Sequence, residues 1–369
     1  MKIVHIIYDD LKNPWCGGGG ARRVFEIYKR LADKHKISVI TGNFPDAENE
    51  NINGIEYIRV GMNMNYWLSR ISFSIKIPFV VKNMEFDLLV NDFSLFSPCF
   101  ADFYTKKPVI NVVHHIVGAH ALRKYPVIGL KPYLAERFNL KYSKNVISVS
   151  ESVLNKIKRF NRKKKLVCIH NGIDEKYFNI EGKEGDFLLF LGRIDIYMKG
   201  LDILLKSFRE IVKEFDGKYK LIIAGRGKEK DFIRLNRIAE ESGIKKYVEI
   251  TGEVTESKKL ELLANCLFLC MPSRFEGWGI TAIEAAAAGK PVVGTKIDGL
   301  TDAVIDGATG ILVEPESCKE FSRGMISMLK DEGLRKKSGK KAREWAKKFD
   351  WDEIAVKQEK FYKEILENI

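Results

Sequence analysis

The fold is decided by the stretch at residues 272–285, which reads PSRFEGWGITAIEA. It follows an apolar run at residues 267–271, turns through a loop flanked by glycines and continues into an alanine-rich segment. This order of features predicts a strand, a tight loop and a helix. The first N–H groups of such a helix lack partners inside it and carry partial positive charge, which suits phosphate or sugar oxygens.

Two carboxylates stand in this stretch, Glu276 in the loop and Glu284 on the helix, roughly two turns apart. A carboxylate accepts two hydrogen bonds, so it binds a pair of hydroxyl groups well. We expect the two glutamates to contact different ends of one ligand rather than to form a close carboxylate pair. Taken alone, they are also consistent with a capping residue and a solvated helical residue.

A basic pair lies upstream, in the stretch LGRIDIYMKGLD at residues 191–202. Arg193 follows a strand-like run, and Lys199 precedes the next helical segment. An arginine fork and a lysine point charge in these positions can clamp a diphosphate. From these two residues alone, a solvated pair of surface cations is the alternative.

Apolar runs alternate with helical spacing in both halves of the chain, which predicts parallel sheets covered on both faces. The strand-like runs of the first half are at residues 2–8, 37–41, 55–60, 87–91, 109–114 and 146–149. Those of the second half are at residues 187–191, 220–224, 248–251, 267–271, 291–294 and 311–313. We expect an α/β chain with two Rossmann-like domains, residues 1–174 and 175–350, and a last helix at residues 351–369 that returns to the first domain.

Composition limits the class of protein. The chain has 369 residues, 45% of them hydrophobic, which favours two domains over one. Its 62 basic and 49 acidic residues give a net charge of +13, so we expect anionic partners. The six cysteines lack CxxC spacing, which argues against structural zinc and a disulfide framework. Neither a membrane span nor a signal peptide is evident, and a cytoplasmic location is expected.

Together these motifs resemble glycosyltransferase family 4, the retaining glycosyl transferases group 1 with the GT-B fold. Its signature is a glutamate followed after seven residues by a second one, in an EG(F/W)G…EA setting, and Glu276 and Glu284 match it. The resemblance implies two domains facing each other across a cleft. It also implies that Glu276 contacts the donor sugar and that Glu284 holds the nucleotide ribose. The backbone lining the sugar and diphosphate would come from Gly277, Trp278, Gly279 and Ile280.

The resemblance assigns further roles outside the glutamate motif. Arg193 and Lys199 would bind the diphosphate without a divalent metal. Gly19 and Gly20 would let the backbone approach the donor phosphates and the acceptor. His114 would reach the donor sugar, with His115 as the fallback because the two are adjacent. The expected catalytic set is Glu276, His114, Arg193 and Lys199.

The loops that contact the nucleotide base are assigned by the same resemblance, to Gly225, Arg226, Glu253 and Val254. Other family landmarks recur in order at residues 148–152, 170–174 and 289–293. The similarity runs from the glycine loop to about residue 310, which is most of the chain.

The implied activity is retaining transfer of a hexose from a UDP- or GDP-linked donor to a glycan, lipid or lipid-linked acceptor, with no cofactor and no metal. The alternatives are a nucleotide-sugar epimerase or a phosphorylase of the same fold. An NAD-dependent dehydrogenase is disfavoured, because residues 17–20 lack the GxGxxG fingerprint and its acidic partner. A nucleic-acid-binding protein would explain the charge but not the motifs, so no nucleic acid partner is expected.

One segment suggests a membrane contact. Residues 66–79 mix aromatic, aliphatic and basic side chains, as interfacial segments do. If Trp67, Phe73 and Phe79 lie on one exposed face with Arg70 and Lys76 at its edge, the segment would make peripheral contact with anionic lipid at the inner face of the cell membrane. The alternative is an ordinary helix that covers the first sheet.

Overall fold

The structure of the protein is a computed structural model, which describes residues 1–93, 100–116, 118, 130–160 and 165–367. The chain forms two compact units. The first contains Met1–Gly172 and Trp351–Ile369, and the second contains Ile173–Asp350. The boundary between the first unit and the second thus lies after residue 172, whereas the sequence predicted it after residue 174.

An eight-stranded sheet forms the centre of the first unit, in the order β3-β4-β2-β1-β5-β6-β7-β8. Its strands are β1 (Lys2–Ile6), β2 (Lys36–Gly42), β3 (Glu50–Ile52), β4 (Ile55–Val60), β5 (Leu88–Phe93), β6 (Val109–Val113), β7 (Asn145–Ser148) and β8 (Lys165–Cys168). All neighbours pair in parallel except β3, which is antiparallel to β4. The central strands are buried on both faces, which explains their continuous apolar runs.

A six-stranded, wholly parallel sheet forms the centre of the second unit, in the order β11-β10-β9-β12-β13-β14. Its strands are β9 (Phe187–Leu191), β10 (Lys220–Ala224), β11 (Val248–Gly252), β12 (Leu269–Met271), β13 (Val292–Thr295) and β14 (Gly310–Val313). The direction of strand addition reverses between β9 and β12. Ligands of such sheets bind where this reversal occurs, outside the carboxyl ends of the strands.

Helices connect the strands of both units. Those in the described residues are α1 (Gly19–Tyr28), α2 (Tyr66–Lys82), α3 (Leu130–Tyr142), α4 (Glu151–Lys158), α5 (Leu201–Glu214), α6 (Glu229–Glu241), α7 (Glu256–Asn265), α8 (Ile280–Ala287), α9 (Leu300–Ala303), α10 (Cys318–Lys330), α11 (Glu332–Ala346) and α12 (Trp351–Glu367). Helix α12 packs on α1 within the first unit, where the hydroxyls of Tyr28 and Tyr362 lie 3.1 Å apart. The predicted return of the last helix is confirmed.

Two strands were not predicted from the sequence. The edge strand β3 has three residues and mostly polar composition, so it offers no apolar run. The other edge strand, β8, is half-buried along its length and begins in a basic stretch. Both sit at the margins of the sheet, where burial does not impose a hydrophobic pattern.

Helix α2 corrects one expectation. Phe73 is fully buried against the first sheet, together with Ile77 and Val81, and so does not share an exposed face with Trp67 and Phe79. The reason is helical geometry, because Phe73 points about half a turn away from the direction of the exposed residues. The exposed apolar side chains, here called the outer face of α2, are Trp67, Leu68, Ile71, Ile75 and Phe79. None of the helices in the described ranges is long and apolar enough to cross a bilayer.

Gly200 joins two loops of the second unit. It has a φ of 64° and is the residue directly before α5, and a Cβ atom at this position would lie 2.0 Å from the Pro272 carbonyl oxygen. The loop after β9 and the loop after β12 therefore touch through their backbones at this residue.

We predict that Gly200→Ala destabilises the protein more than Gly243→Ala. Both glycines have similar left-handed φ values, 64° and 69°, but a Cβ atom added at Gly243 would meet no heavy atom of the described residues within 4 Å. The conformational cost of about 1–2 kcal/mol is shared, whereas overpacking adds about 1–3 kcal/mol at Gly200 alone. Chemical denaturation measures the difference. Equal losses in the two variants would contradict the close approach.

Candidate functional site

The loops after β9 and β10 are in direct backbone contact. The Ile194 N–H donates to the Arg226 carbonyl at 2.8 Å, and a Cβ at Gly225 would lie 1.7 Å from the Gly192 carbonyl oxygen. These contacts bring Arg193, Gly225 and Arg226 together at the carboxyl edge of the second sheet. The Arg193 side chain is exposed, and its guanidinium makes no ion pair or hydrogen bond with the part of the chain that the structure describes.

Lys199 and Glu276 form an ion pair between the loop after β9 and the loop after β12. The Ser273 hydroxyl also donates to the same carboxylate, at 2.9 Å. The two charged side chains are only 19% and 10% exposed. Lys199, predicted to bind phosphate, and Glu276, predicted to bind sugar, are thus in direct contact.

Arg274 fixes the backbone on which Glu276 stands. Its two guanidinium NH₂ groups donate to the two carboxylate oxygens of Asp202, each at 2.8 Å, and its backbone N–H donates to the Met198 carbonyl at 3.0 Å. Burial alone would raise the pKa of Asp202, but the hydrogen bonds and charge of Arg274 hold it below its usual value. The sequence interpretation missed Arg274, although it lies two residues before Glu276.

The glycine-flanked loop leads into the N-terminus of α8. Gly279 has a φ of 69° and precedes Ile280, the first helical residue. A Cβ at Gly299 would lie 2.6 Å from the Gly277 carbonyl oxygen, so α9 begins directly against this loop. Trp278 is buried and packs edge-to-face on Phe349, with ring centroids 5.0 Å apart. The backbone predicted to line a ligand is therefore packed against α9 and Phe349.

Glu284 lies on α8 and is buried. The Lys259 ammonium donates to its Oε1 at 2.6 Å and also to the Tyr177 hydroxyl at 2.6 Å, which in turn donates to Glu256 at 2.8 Å. Burial, with Glu284 and Glu256 close by, raises the pKa of Tyr177 well above its usual value. Among the described residues, the second oxygen of Glu284 is buried without a hydrogen-bond partner.

Lys259 and Tyr177 were also missed from the sequence. Lys259 follows Lys258 in a charged helix, a pattern typical of a solvated face. Glu253 and Val254 follow β11, at the edge of the sheet where the Gly225 N–H donates to the Gly252 carbonyl at 2.7 Å. They thus lie beside Gly225, as the base-contact prediction requires, but the structure does not test that role.

The predicted residues of the first unit meet at the start of α1. Gly19 and Gly20 begin this helix, and a Cβ at Gly20 would lie 3.8 Å from His114 Nε2. His114 follows β6, and its Nε2 is 3.0 Å from Asp92 Oδ2. Of the two adjacent histidines, His114 is therefore the ring beside the glycine loop. Asp92, at the carboxyl end of β5, was not predicted from the sequence.

Asp92 is buried between two imidazoles, because His5 Nε2 approaches its other oxygen at 3.2 Å. Burial alone would raise the pKa of this carboxyl group, but His114 and His5 hold it well below its usual value. In the described ranges, no group of three or more histidine, cysteine, aspartate or glutamate side chains is arranged to hold a metal ion. Metal independence stays a prediction.

Comparison with known families covers both units. The family described as glycosyl transferases group 1 matches residues 173–345, and the one described as glycosyltransferase family 4 matches residues 17–177. An uncharacterized glycosyltransferase of Methanocaldococcus jannaschii is 26% identical over 99% of both chains. The predicted family is thereby confirmed.

Solved structures confirm the predicted GT-B fold. Sucrose-phosphate synthase from Thermosynechococcus elongatus superposes with a TM-score of 0.84 over 100% of both chains, at 19% identity. Anabaena HepE, solved with UDP and glucose, gives a TM-score of 0.77 over 99% of this chain and 100% of its own, at 18% identity. Since the two family matches together extend from residue 17 to residue 345, the chain belongs to the group 1 and family 4 glycosyltransferases.

Proposed function

We propose that the protein moves a hexose from a nucleoside diphosphate sugar to an acceptor hydroxyl with retention of the anomeric configuration, without a metal ion. The observation that carries this proposal is the ion pair of Lys199 and Glu276 at the reversal point of the second sheet. It joins a cation suited to phosphate and a carboxylate suited to sugar hydroxyls on two loops that meet at the carboxyl edge.

The nucleotide half of the donor would be bound by the second unit. Glu284 offers a buried oxygen without a partner in the described chain, and a ribose hydroxyl is a suitable donor to it. Lys259 neutralises the same carboxylate, which lowers the cost of keeping it near an anionic donor. Arg193, Lys199 and the N–H groups at the start of α8 would bind the diphosphate.

In the proposed reaction the bond between the anomeric carbon and the phosphate oxygen breaks, while the acceptor oxygen bonds to the same face of that carbon. The acceptor proton passes to the leaving phosphate, so no separate protein base is needed. Negative charge grows on the diphosphate, and Lys199 and Arg193 stabilise it. Glu276 orients the sugar through its hydroxyls. Its pairing with Lys199 and Ser273 makes it a poor nucleophile, which supports this role over attack.

For the donor we propose a UDP- or GDP-linked sugar, and the HepE complex with UDP and glucose favours UDP. A panel of nucleoside diphosphate sugars, tested by thermal shift, would identify it. Release of free nucleoside diphosphate only when an acceptor is added separates this function from that of an epimerase. Tight, salt-sensitive binding to DNA or RNA that sugar nucleotides do not affect would instead favour a nucleic-acid-binding protein.

We predict that Arg193→Ala and Lys199→Ala each reduce donor turnover by about 10² or more, because each removes a cation from the leaving diphosphate. Steady-state kinetics with the identified donor measure this loss. The matched control is Lys258→Ala, which removes an exposed lysine paired with Glu261 on α7 and should leave turnover unchanged. Wild-type turnover in both test variants would end the phosphate assignment.

We predict a product with the donor's anomeric configuration, formed equally well when the reaction contains EDTA. Proton NMR of the fresh product gives the configuration. An inverted product would refute the retaining class. A glycosyl adduct on Glu276, sought by mass spectrometry, would refute same-face attack, and activity lost with EDTA and restored by a metal would refute metal independence.

For the acceptor we propose a lipid or lipid-linked glycan at an anionic membrane surface on the cytoplasmic side. The support is the outer face of α2, where Trp67 is 60% and Phe79 68% exposed. These side chains would enter the headgroup region, and Lys76 on the same helix, with the net charge of +13, would attract anionic lipid.

We predict that the protein co-sediments with phosphatidylglycerol vesicles but not with phosphatidylcholine vesicles, and that salt weakens the binding. Trp67→Ser with Phe79→Ser should weaken it at least about tenfold, because two aromatic side chains no longer leave water. Ile233→Ser is the control, since Ile233 on α6 is 63% exposed but lies in the second unit. Absence of binding to either vesicle would leave a water-soluble acceptor as the better proposal.

A further inference from the structure

A chain of buried polar side chains runs through the first unit and ends at His114. Its hydrogen bonds run from Arg23 Nη2 to Gln358 Oε1 at 2.8 Å, from Gln358 Nε2 to the Tyr362 hydroxyl at 2.6 Å, between the Tyr362 and Tyr28 hydroxyls at 3.1 Å, and between Tyr28 and His5 Nδ1 at 2.7 Å. His5 Nε2 then lies 3.2 Å from Asp92 Oδ1, an ion-pair distance, and neither of these two atoms has a hydrogen-bond partner among the described residues. The other oxygen of Asp92 is 3.0 Å from His114 Nε2. Apart from His114, these side chains are at most 4% exposed. The chain joins the side chains of α1, α12, β1 and β5 to the ring beside the glycine loop.

With neutral imidazoles, the chemistry of the two ends fixes the direction of every hydrogen bond in this chain. Arg23 can only donate, so Gln358 accepts with its oxygen and must donate with its nitrogen to Tyr362. A neutral His5 with its proton on Nε2 accepts at Nδ1, so Tyr28 donates to it and accepts from Tyr362. At the other end Asp92 is ionised and can only accept. A neutral His5 therefore carries its proton on Nε2, the nitrogen that faces Asp92.

The same argument applies to His114. Its Nε2 faces the second oxygen of Asp92 and must donate to it. In the neutral ring, the lone pair is then on Nδ1, which becomes an acceptor. The His114 side chain is 20% exposed, whereas the other members of the hydrogen-bond chain are buried. A ligand can therefore reach this network at His114.

Two further observations indicate that the side chains of this hydrogen-bond chain have fixed positions. Burial raises the pKa of Tyr28 and Tyr362, so both hydroxyls keep the protons that the chain needs. Arg23 also donates to the His170 carbonyl at 2.6 Å and to Asn171 Oδ1 at 3.0 Å, which fixes its guanidinium. The hydrogen-bonded part of this network, from Arg23 to His5, is therefore rigid and favours one arrangement.

We propose that Asp92 is a positioning residue: with His5 against its other oxygen, Asp92 holds His114 in the Nε2–H tautomer, so that Nδ1 accepts a hydrogen bond from a substrate hydroxyl. The substrate part of this inference rests on the proposed function. The tautomer part does not, because it follows from the protein alone.

The first test uses the unmodified protein without substrate. With ¹⁵N-labelled histidine, NMR distinguishes a protonated ring nitrogen from an unprotonated one, and His114→Gln identifies the His114 signals among the six histidines. We expect neutral His114 and His5 to be protonated on Nε2. Protonation of His114 on Nδ1, or a mixture of tautomers, would overturn the proposal.

The second test uses Asp92→Asn, which keeps the size of the side chain but can donate through its amide nitrogen. We expect the fixed tautomer to be lost and kcat to fall about 10- to 100-fold, with a smaller change in the KM of the donor. The control is Asp102→Asn, which removes a carboxylate that does not belong to the hydrogen-bond chain. The Asp102 carboxylate accepts from the Asn111 amide, on β6, at 2.8 Å. This variant should change neither the His114 signals nor kcat.

Tyr28→Phe covers the case in which Asp92→Asn does not fold. It keeps the Asp92 carboxylate but removes the donor to His5 Nδ1, so we expect mixed tautomers at His5 and a smaller fall in kcat. An unchanged His114 tautomer and unchanged kcat in the folded variants would overturn the positioning role. If the wild-type protein transferred sugar from none of the nucleoside diphosphate sugars in the panel, the proposed function would be overturned. The result of the tautomer measurement would still be valid.

Discussion

The second unit depends on the backbone contact between the loops that follow β9 and β12. These strands are neighbours at the point where the sheet reverses its order, so their carboxyl ends open side by side. Gly200 lies against the Pro272 carbonyl, and the Arg274 N–H bonds to the Met198 carbonyl. A side chain cannot enter between two backbones at this distance. The positions of Lys199 and Glu276, one on each loop, follow from this contact.

Each signature glutamate has its own lysine. Glu276 pairs with Lys199 from the loop after β9, and Glu284 pairs with Lys259 from α7. A buried carboxylate without a partner would be costly and would repel a diphosphate. Each ion pair lowers both costs, and in the proposed function the carboxylates still accept hydrogen bonds from substrate hydroxyls. The exposed guanidinium of Arg193 then adds positive charge at the same edge of the sheet.

Features that depend on local sequence were predictable. Central strands such as β1 and β9 are continuous apolar runs because both faces of a parallel sheet are covered, and the glycine-flanked loop before α8 has a recognisable composition. Features that depend on distant partners were not. Asp92 gives no sign in the sequence that two histidines flank it, and Arg23 finds Gln358 only across 335 positions. Phe73 was misplaced because a mixed aromatic and basic segment does not reveal which of its aromatic residues faces the sheet.

The buried contacts of α12 also have a consequence for biosynthesis. The first unit consists of Met1–Gly172 and the helix that begins at Trp351, so the ribosome must make the whole second unit before the first can be completed. At typical elongation rates this delay is on the order of 10–40 s. During that time Arg23 and Tyr28 lack the partners that α12 supplies. The surface of α1 that α12 later covers is open to water. In a nascent chain of this protein the second unit can therefore fold before the first is complete, and the contacts of α1 with α12 form last.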